Sequence, residues 1–519
     1  MIADSMPGPG GDRRIRKTSG QGSRQFAVVV ITCLLAGSAL AACGTAAATF
    51  PKASTATSVA AALPDTPAGN QARWFIAATA DLPLSAAELR QHFDASFMAL
   101  GPAAINQSLE KAGELRLVSS RVTRDTPCAE PTPAVAPASP ASAGTLASPG
   151  TPGTGDQAQG ASAVPVPANR CLAVTVSTAG GPRQLTLTVD AAGLISGLHL
   201  SLVIPPAPTT WQGVDAAIRS VAPDVHLLVA KVTNGSCQPV NSVGPGTAAP
   251  LAWASRLYVL DALAQAVASG KVSWNQLLTV TAQLKSPGSG DMQNAPDGIK
   301  ASVQFTADQM ISSDDNTAID MLINLLGRPA VEAALSTAGM ADPSRDMPFL
   351  TAREQIALSV DQWPALAQRY VAASPAGRQT LLTSVVDRAP VPSAAALAAW
   401  TTPRDINIIG HFASASDICR VYASLAGLAR KPGLSPVASA LEITDGGLGL
   451  DPAQWQTTWF SGGTQPGVLT YTYLATTNTG RSYVVAVLAE NPSAPIDQTA
   501  ATPTVLSAIK GAFTLAARG

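Results

Sequence analysis

Residues 126–169 consist almost wholly of Pro, Ala, Ser, Gly and Thr, and this stretch limits the fold more than any other. A segment so poor in large apolar side chains cannot bury enough surface to offset the entropy of ordering it. It is expected to be a disordered insert, so the sequence on its two sides must fold across it. Those flanks alternate apolar and polar residues at 115–122, 172–177, 184–189 and 194–202, which reads as four antiparallel strands. Upstream, Ser85 and Glu88 form a capping box ahead of Leu89, Phe93, Phe97 and Leu100, so a helix starts there. A second short helix is expected over 104–112. Residues 70–205 thus read as a helix packed on a small curled sheet, with ordered sequence beginning near Trp74 and Phe75.

The N-terminus carries a different signal. Arg13, Arg14, Arg16, Lys17 and Arg24 precede an uncharged run, 26–42, that ends in small residues. The run is short for a span of roughly 20 residues, and its basic flank suits an export signal. It closes on Leu40-Ala41-Ala42-Cys43, which resembles the bacterial lipobox. That resemblance implies cleavage before Cys43 and diacylation of its sulfur, with residues 1–42 removed and the lipid bilayer as partner. Residues 43–69, rich in Ala, Thr, Ser and Pro, read as a flexible tether. The localisation expected is extracytoplasmic, lipid-anchored to the cell membrane.

Net charge is −1 and only 13% of residues are charged, which points away from nucleic acid as a partner. His92, His199, His226 and His411 are widely separated and no Cys-x-x-Cys occurs, so neither metal nor other cofactor is expected. Besides Cys43, four cysteines follow in an oxidising compartment: Cys128, Cys171, Cys237 and Cys419. Three pairings are open. Cys128–Cys171 with Cys237–Cys419 keeps each bridge within one domain, and the first would close a 44-residue loop around the insert. In the chain-entropy view that closure contributes about 4 kcal/mol.

Pro205, Pro206 and Pro208 mark the boundary to a second domain, 206–519. A strand at 225–232 precedes an apolar helical run at 253–269, further helices, late strands at 457–460, 468–476 and 482–488, and a last helix at 504–517. Strands at both ends with helices between them describe an α/β sandwich, and the whole chain is α+β.

From about residue 225 onward the sequence resembles serine β-lactamases and penicillin-binding proteins of the class A type. The stretches that carry the resemblance are Arg256-Leu-Tyr-Val-Leu-Asp-Ala-Leu, Met310-Ile-Ser-Ser-Asp-Asp-Asn-Thr-Ala, Asn324-Leu-Leu-Gly-Arg, Pro348-Phe-Leu-Thr-Ala-Arg-Glu and Gly462-Gly-Thr-Gln-Pro-Gly-Val-Leu. The layout is similar to actinobacterial two-domain lipoproteins, related to a clavulanic-acid-cluster protein. These join a cystatin-like or steroid-isomerase-like domain to a lactamase-like one.

That family's chemistry needs Ser-x-x-Lys, Ser-Asp-Asn and Lys-Thr/Ser-Gly meeting in one cleft. By the resemblance, the first motif falls on Trp253-Ala254-Ser255-Arg256. The nucleophile position is Trp, and the Lys position is an Arg that cannot be deprotonated to act as a base. Ser255, two residues late, should face away from the cleft. The second motif reads Asp314-Asp315-Asn316 and the third Ser461-Gly462-Gly463, with backbone donors of an oxyanion hole at Trp253 and Thr464. The deacylating Glu is absent, since Glu354 has Leu358 rather than Asn four residues later. With two lysines replaced and Asp314 added, an anionic β-lactam would meet less positive charge.

The leading expectation is a pseudoenzyme that binds or scaffolds a cell-wall or protein ligand, with Trp253 filling the old pocket or flooring it. Arg256 and Asp314 are expected to pair across the former active site. The alternative is an active serine hydrolase of β-lactamase, peptidase or esterase type using another nucleophile, Ser312 or Ser313. A third reading places ligand binding in the N-terminal domain. Ser108–Lys111 and Ser507–Lys510 also match Ser-x-x-Lys, and both read as chance matches in surface-type helices.

Overall fold

The computed structural model describes residues 63–119, 170–178 and 181–519. The expected export signal, Cys43, Cys128 and residues 126–169 lie outside the described residues.

The N-terminal domain has α1 (Pro67–Ala78), α2 (Ala86–His92), α3 (Ala95–Met98) and α4 (Pro102–Ala112). These lie with a four-stranded antiparallel sheet in sequential order, β1 (Arg116–Ser119), β2 (Cys171–Thr178), β3 (Gly181–Val189) and β4 (Ile195–Leu202). Phe75, Leu89, Phe93, Phe97, Leu172, Leu187 and Ile195 form its core. The capping box is present, with Ser85 Oγ accepting from Glu88 N–H and the Glu88 carboxylate accepting from Ser85 N–H. Described structure already stands ahead of Trp74. Thr66 caps α1 and Leu63 is buried, so the expected tether over 43–69 gives way to helix at Pro67.

In the C-terminal region α5 (Trp211–Arg219), β5 (Asp224–Thr233), β6 (Ser236–Val243) and the short β7 (Ala249–Pro250) come first. A 3₁₀ turn (Ala252–Ser255) leads into α6 (Arg256–Ala268), the central buried helix. Next are β8 (Leu277–Thr279), β9 (Lys300–Ser302), α7 (Val303–Ser312), α8 (Asn316–Leu326) and α9 (Arg328–Thr337). Then come α10 (Ala352–Val360), α11 (Ala365–Ala372), α12 (Pro375–Leu381), α13 (Ala394–Ala398), β10 (Phe412–Ala413), α14 (Ala415–Ala429) and α15 (Ser435–Glu442). The chain closes with β11 (Trp455–Gln465), β12 (Val468–Thr477), β13 (Ser482–Glu490) and α16 (Gln498–Arg518).

The main sheet is antiparallel in the order β11-β12-β13-β5-β6, so the two ends of the region join in one sheet, as expected. One face packs on α5 and α16 through Val214, Ile218, Val505, Ile509 and Phe513. The other packs on the helical body around α6 and α14 through Leu257, Leu260, Ile418 and Tyr422. The inner strands are therefore buried on both faces, almost without interruption along β12 and β13.

Cys237–Cys419 is formed, joining β6 to α14 with Cα atoms 6.2 Å apart. Cys171 is also disulfide-bonded. Pro503 lies inside α16 rather than before it, because Asp497 caps the helix earlier, accepting from Thr499 and Ala500. Ser507 is buried, donating to the Pro206 carbonyl at the domain junction, so its helix face is not the surface face expected. Ser108 instead back-bonds to Ala104 on an exposed face.

Candidate functional site

The fold brings the three motif positions together. A buried run opens α6 and carries Arg256 into the body, where its side chain is only 1% exposed. Its guanidinium donates to the Asp314 carboxylate at 3.1 Å, the Asp314 carbonyl at 2.6 Å, Asn316 Oδ1 at 3.0 Å and the Trp253 carbonyl at 3.2 Å. Arg256 thus ties the first motif to the second, and the expected ion pair is present. Burial pushes the guanidinium's pKa down, opposed by Asp314, Asp315 and Asp320. It remains a cation at any physiological pH.

The second motif is held by its own loop. Asp315 caps α8, with one oxygen accepting from Ala318 N–H and the other from Met292 N–H, both at 2.8 Å. Its carboxyl is pushed up by burial and pulled back by those bonds. Asn316 is engaged at both ends: Oδ1 accepts from Arg256, and Nδ2 donates to the Pro287 carbonyl at 2.8 Å. Gly288 permits this closeness, since a Cβ there would lie 2.8 Å from Asn316 Nδ2. Asp314 sits at φ +52°, a left-handed conformation that Asp tolerates better than most residues. Its side chain is 43% exposed. Burial raises its pKa and the Arg256 guanidinium lowers it.

The third motif lies on β11, an edge strand. Gly463 abuts the 3₁₀ turn so closely that a Cβ there would overlap the Trp253 backbone nitrogen. Gly462 packs against the Phe460 ring and the Thr470 carbonyl. Ser461 is buried, its carbonyl accepting from Thr472 Oγ1, and Thr464 is half-buried. The Trp253 ring is half-buried against Ala252, Ile406 and Val468, with the Arg256 guanidinium 5.4 Å from its centroid. It stands where the resemblance places a nucleophile.

The other candidates are not poised for chemistry. Ser255 is buried with no protein partner for its hydroxyl. Ser312 donates to the Asp308 carbonyl, and Ser313 to the Gln309 carbonyl and side chain, so neither is paired with a base. Glu354 is buried, capping α10 with Thr351 and pairing with Arg328 at 2.6 Å.

Sequence reading did not single out the helices that reach β11 from residues 347–411. Residues 347–411 form a helical subregion, α10 to α13, with a small core of its own built on Leu358, Leu366, Tyr370, Leu382 and Ile409. Gln355 Nε2 donates to Gln465 Oε1 at 3.0 Å, tying this subregion to β11. Its only advance signal is the clustering of apolar residues across several short helices.

Residues 212–395 match the model of the beta-lactamase enzyme family. The C-terminal region is β-lactamase-like in fold. Residues 63–116 match the model of the N-terminal part of the ORF 12 gene product. Among curated proteins none matches the chain. Among solved structures, a β-lactamase from Sphaerobacter thermophilus aligns at 20% identity and a TM-score of 0.41, covering 59% of this chain and 97% of that one. The structure of PBP-A aligns at 16% identity and a TM-score of 0.40, covering 60% of this chain and 100% of that one. A β-lactamase from Chitinophaga pinensis aligns at 14% and 0.40, covering 59% and 98%.

Proposed function

We propose that the protein is a lipid-anchored binding module of the cell envelope whose lactamase-like domain has given up acyl transfer. Arg256 carries this reading. A residue that cannot act as a base stands where the resemblance places the Lys, and it is bonded to Asp314 and Asn316. Trp253 supplies no hydroxyl, and the Asn316 amide that would orient a substrate is committed to Arg256 and Pro287. Without a nucleophile there is no tetrahedral oxyanion for backbone donors to stabilise. What remains is a shaped, extracytoplasmic cleft for a cell-wall or protein ligand, carried beside a cystatin-like or steroid-isomerase-like N-terminal domain.

Restoration of the missing side chains tests this. The variant Trp253→Ser, Arg256→Lys, Asp314→Ser, Ser461→Lys should gain labelling by a fluorescent penicillin that leaves the unmodified chain unlabelled. Labelling of the unmodified chain overturns the reading. The anchor is tested separately: Cys43→Ala should abolish incorporation of labelled fatty acid and release the protein from the membrane fraction. Retention with lipid would contradict it.

A further inference from the structure

The subregion at 347–411 ends in a segment, 399–409, without helix or strand between α13 and β10. We infer that this segment is a strap that plugs the cleft with Ile406 and swings out to admit a ligand. It follows a contact with the second-motif loop and makes one with the β11–β12 turn. On one side Leu397, at the end of α13, packs near Gly288 of the loop that holds Asn316. On the other, Pro403 seats on the β11–β12 turn, where a Cβ on Gly467 would lie 2.6 Å from the proline ring. Beyond Pro403, Ile406 is 2% exposed and packs on Ala252, Val468 and the Trp253 ring.

The strap is fastened in a way that suits displacement. Asp405, at φ +48°, accepts from Trp363 Nε1 at 3.1 Å, and Gln362 beside that tryptophan is also left-handed, at φ +48°. Ala252, beneath Ile406, has φ +47°. Non-glycine residues held this way persist only where their surroundings enforce them, and they concentrate in moving parts and binding clamps. Arg404 donates to the Ser359 carbonyl at 2.7 Å, but its Nε and the Trp400 indole N–H are buried without a protein partner. Those two donors gain water when the strap lifts, which offsets part of the cost of exposing Ile406. Gly410, at φ +133°, provides a hinge before β10. Lifting the strap bares an apolar floor of Trp253, Ala252 and Val468 beside an already neutralised Arg256–Asp314 pair. The ligand class this fits presents a branched aliphatic or aromatic group in place of Ile406.

Hydrogen–deuterium exchange on the full chain, followed by mass spectrometry at rising sub-denaturing urea, tests the strap. Peptides covering 251–256 and 399–411 should exchange together, at least about tenfold faster than 468–490 and with no urea dependence, as a local opening requires. Ile406→Ala should accelerate those two peptides by roughly tenfold and leave 468–490 unchanged. The strap is refuted if both peptides follow urea together with the sheet, or if Ile406→Ala speeds all three equally. Should Ile406→Ala fail to fold, the urea series on the unmodified chain decides alone.

Discussion

Arg256 and Asp314, 58 positions apart, meet at 3.1 Å where the resemblance places a lysine beside a serine. The two ends of this pair differ, with an arginine side chain 1% exposed and an aspartate 43% exposed. A half-exposed pair contributes little net stability, but stripping partners from a buried cation is costly.

Arg256→Ala should therefore destabilise by about 3–5 kcal/mol, because Asn316 Oδ1 and the Asp314 carbonyl are left without their donor as well. Asp314→Asn, which keeps the left-handed backbone and an acceptor, should cost about 1 kcal/mol or less. Urea unfolding of both single variants and the double variant should give a coupling of about 1 kcal/mol. Strict additivity would show that the two side chains do not interact energetically.

Gly463 and Gly427 should respond oppositely to alanine. A Cβ at Gly463 overlaps the Trp253 backbone, so Gly463→Ala must push the 3₁₀ turn off β11 and cost about 1–3 kcal/mol. Gly427 lies exposed within α14 with open space around it, and Gly427→Ala should stabilise by up to about 1 kcal/mol. Thermal midpoints of the two variants check both signs.

Much of the fold and part of the site are legible in the sequence, and the reasons differ by element. The capping box at Ser85 and the apolar run of β13 are local patterns, so sequence reveals them directly. Cys237–Cys419 follows from keeping each bridge within one domain. The positions of Trp253, Arg256 and Asp314 follow from family resemblance rather than from periodicity. The strap is not legible. Ile406 meets Ala252, Trp253 and Val468 only in tertiary structure, and nothing near it in sequence marks it as a core residue. The early start of α1 is hidden because Thr66 and Pro67 occur among similar residues in an Ala, Thr and Pro run.

His411 sets a pH dependence. It is buried between Phe349, whose ring lies 4.1 Å away, and the Leu350 carbonyl, which accepts from Nε2 at 3.1 Å. Burial pushes its pKa down to about 3. The unfolded chain, with His near its ordinary value of about 6.5, then binds more protons than the native one, so this histidine's contribution is lost as pH falls from about 6.5 towards 3. His411→Gln keeps a donor for Leu350 and removes the titration. The stability of the unmodified chain relative to this variant should drop by a few kcal/mol, on the order of one per pH unit, between pH 6.5 and 4. Asp320, raised by burial to about 7, acts in the opposite sense but is common to both chains and cancels in the difference.

The Cys237–Cys419 bridge closes a sequence separation of 182 residues across β6 and α14. Replacing both cysteines by alanine should lower stability by about 2–5 kcal/mol, read as a drop in the urea midpoint. An unchanged midpoint would contradict a stabilising role for the bridge.

The most direct test of the missing chemistry is the intact mass of the full chain after prolonged incubation with benzylpenicillin. With Trp253 at the nucleophile position and Arg256 bonded to Asp314 and Asn316, the mass should remain that of the unmodified protein. A covalent penicilloyl adduct on any residue, Ser312 and Ser313 included, would contradict the reading of this cleft as a binding site without acylation chemistry.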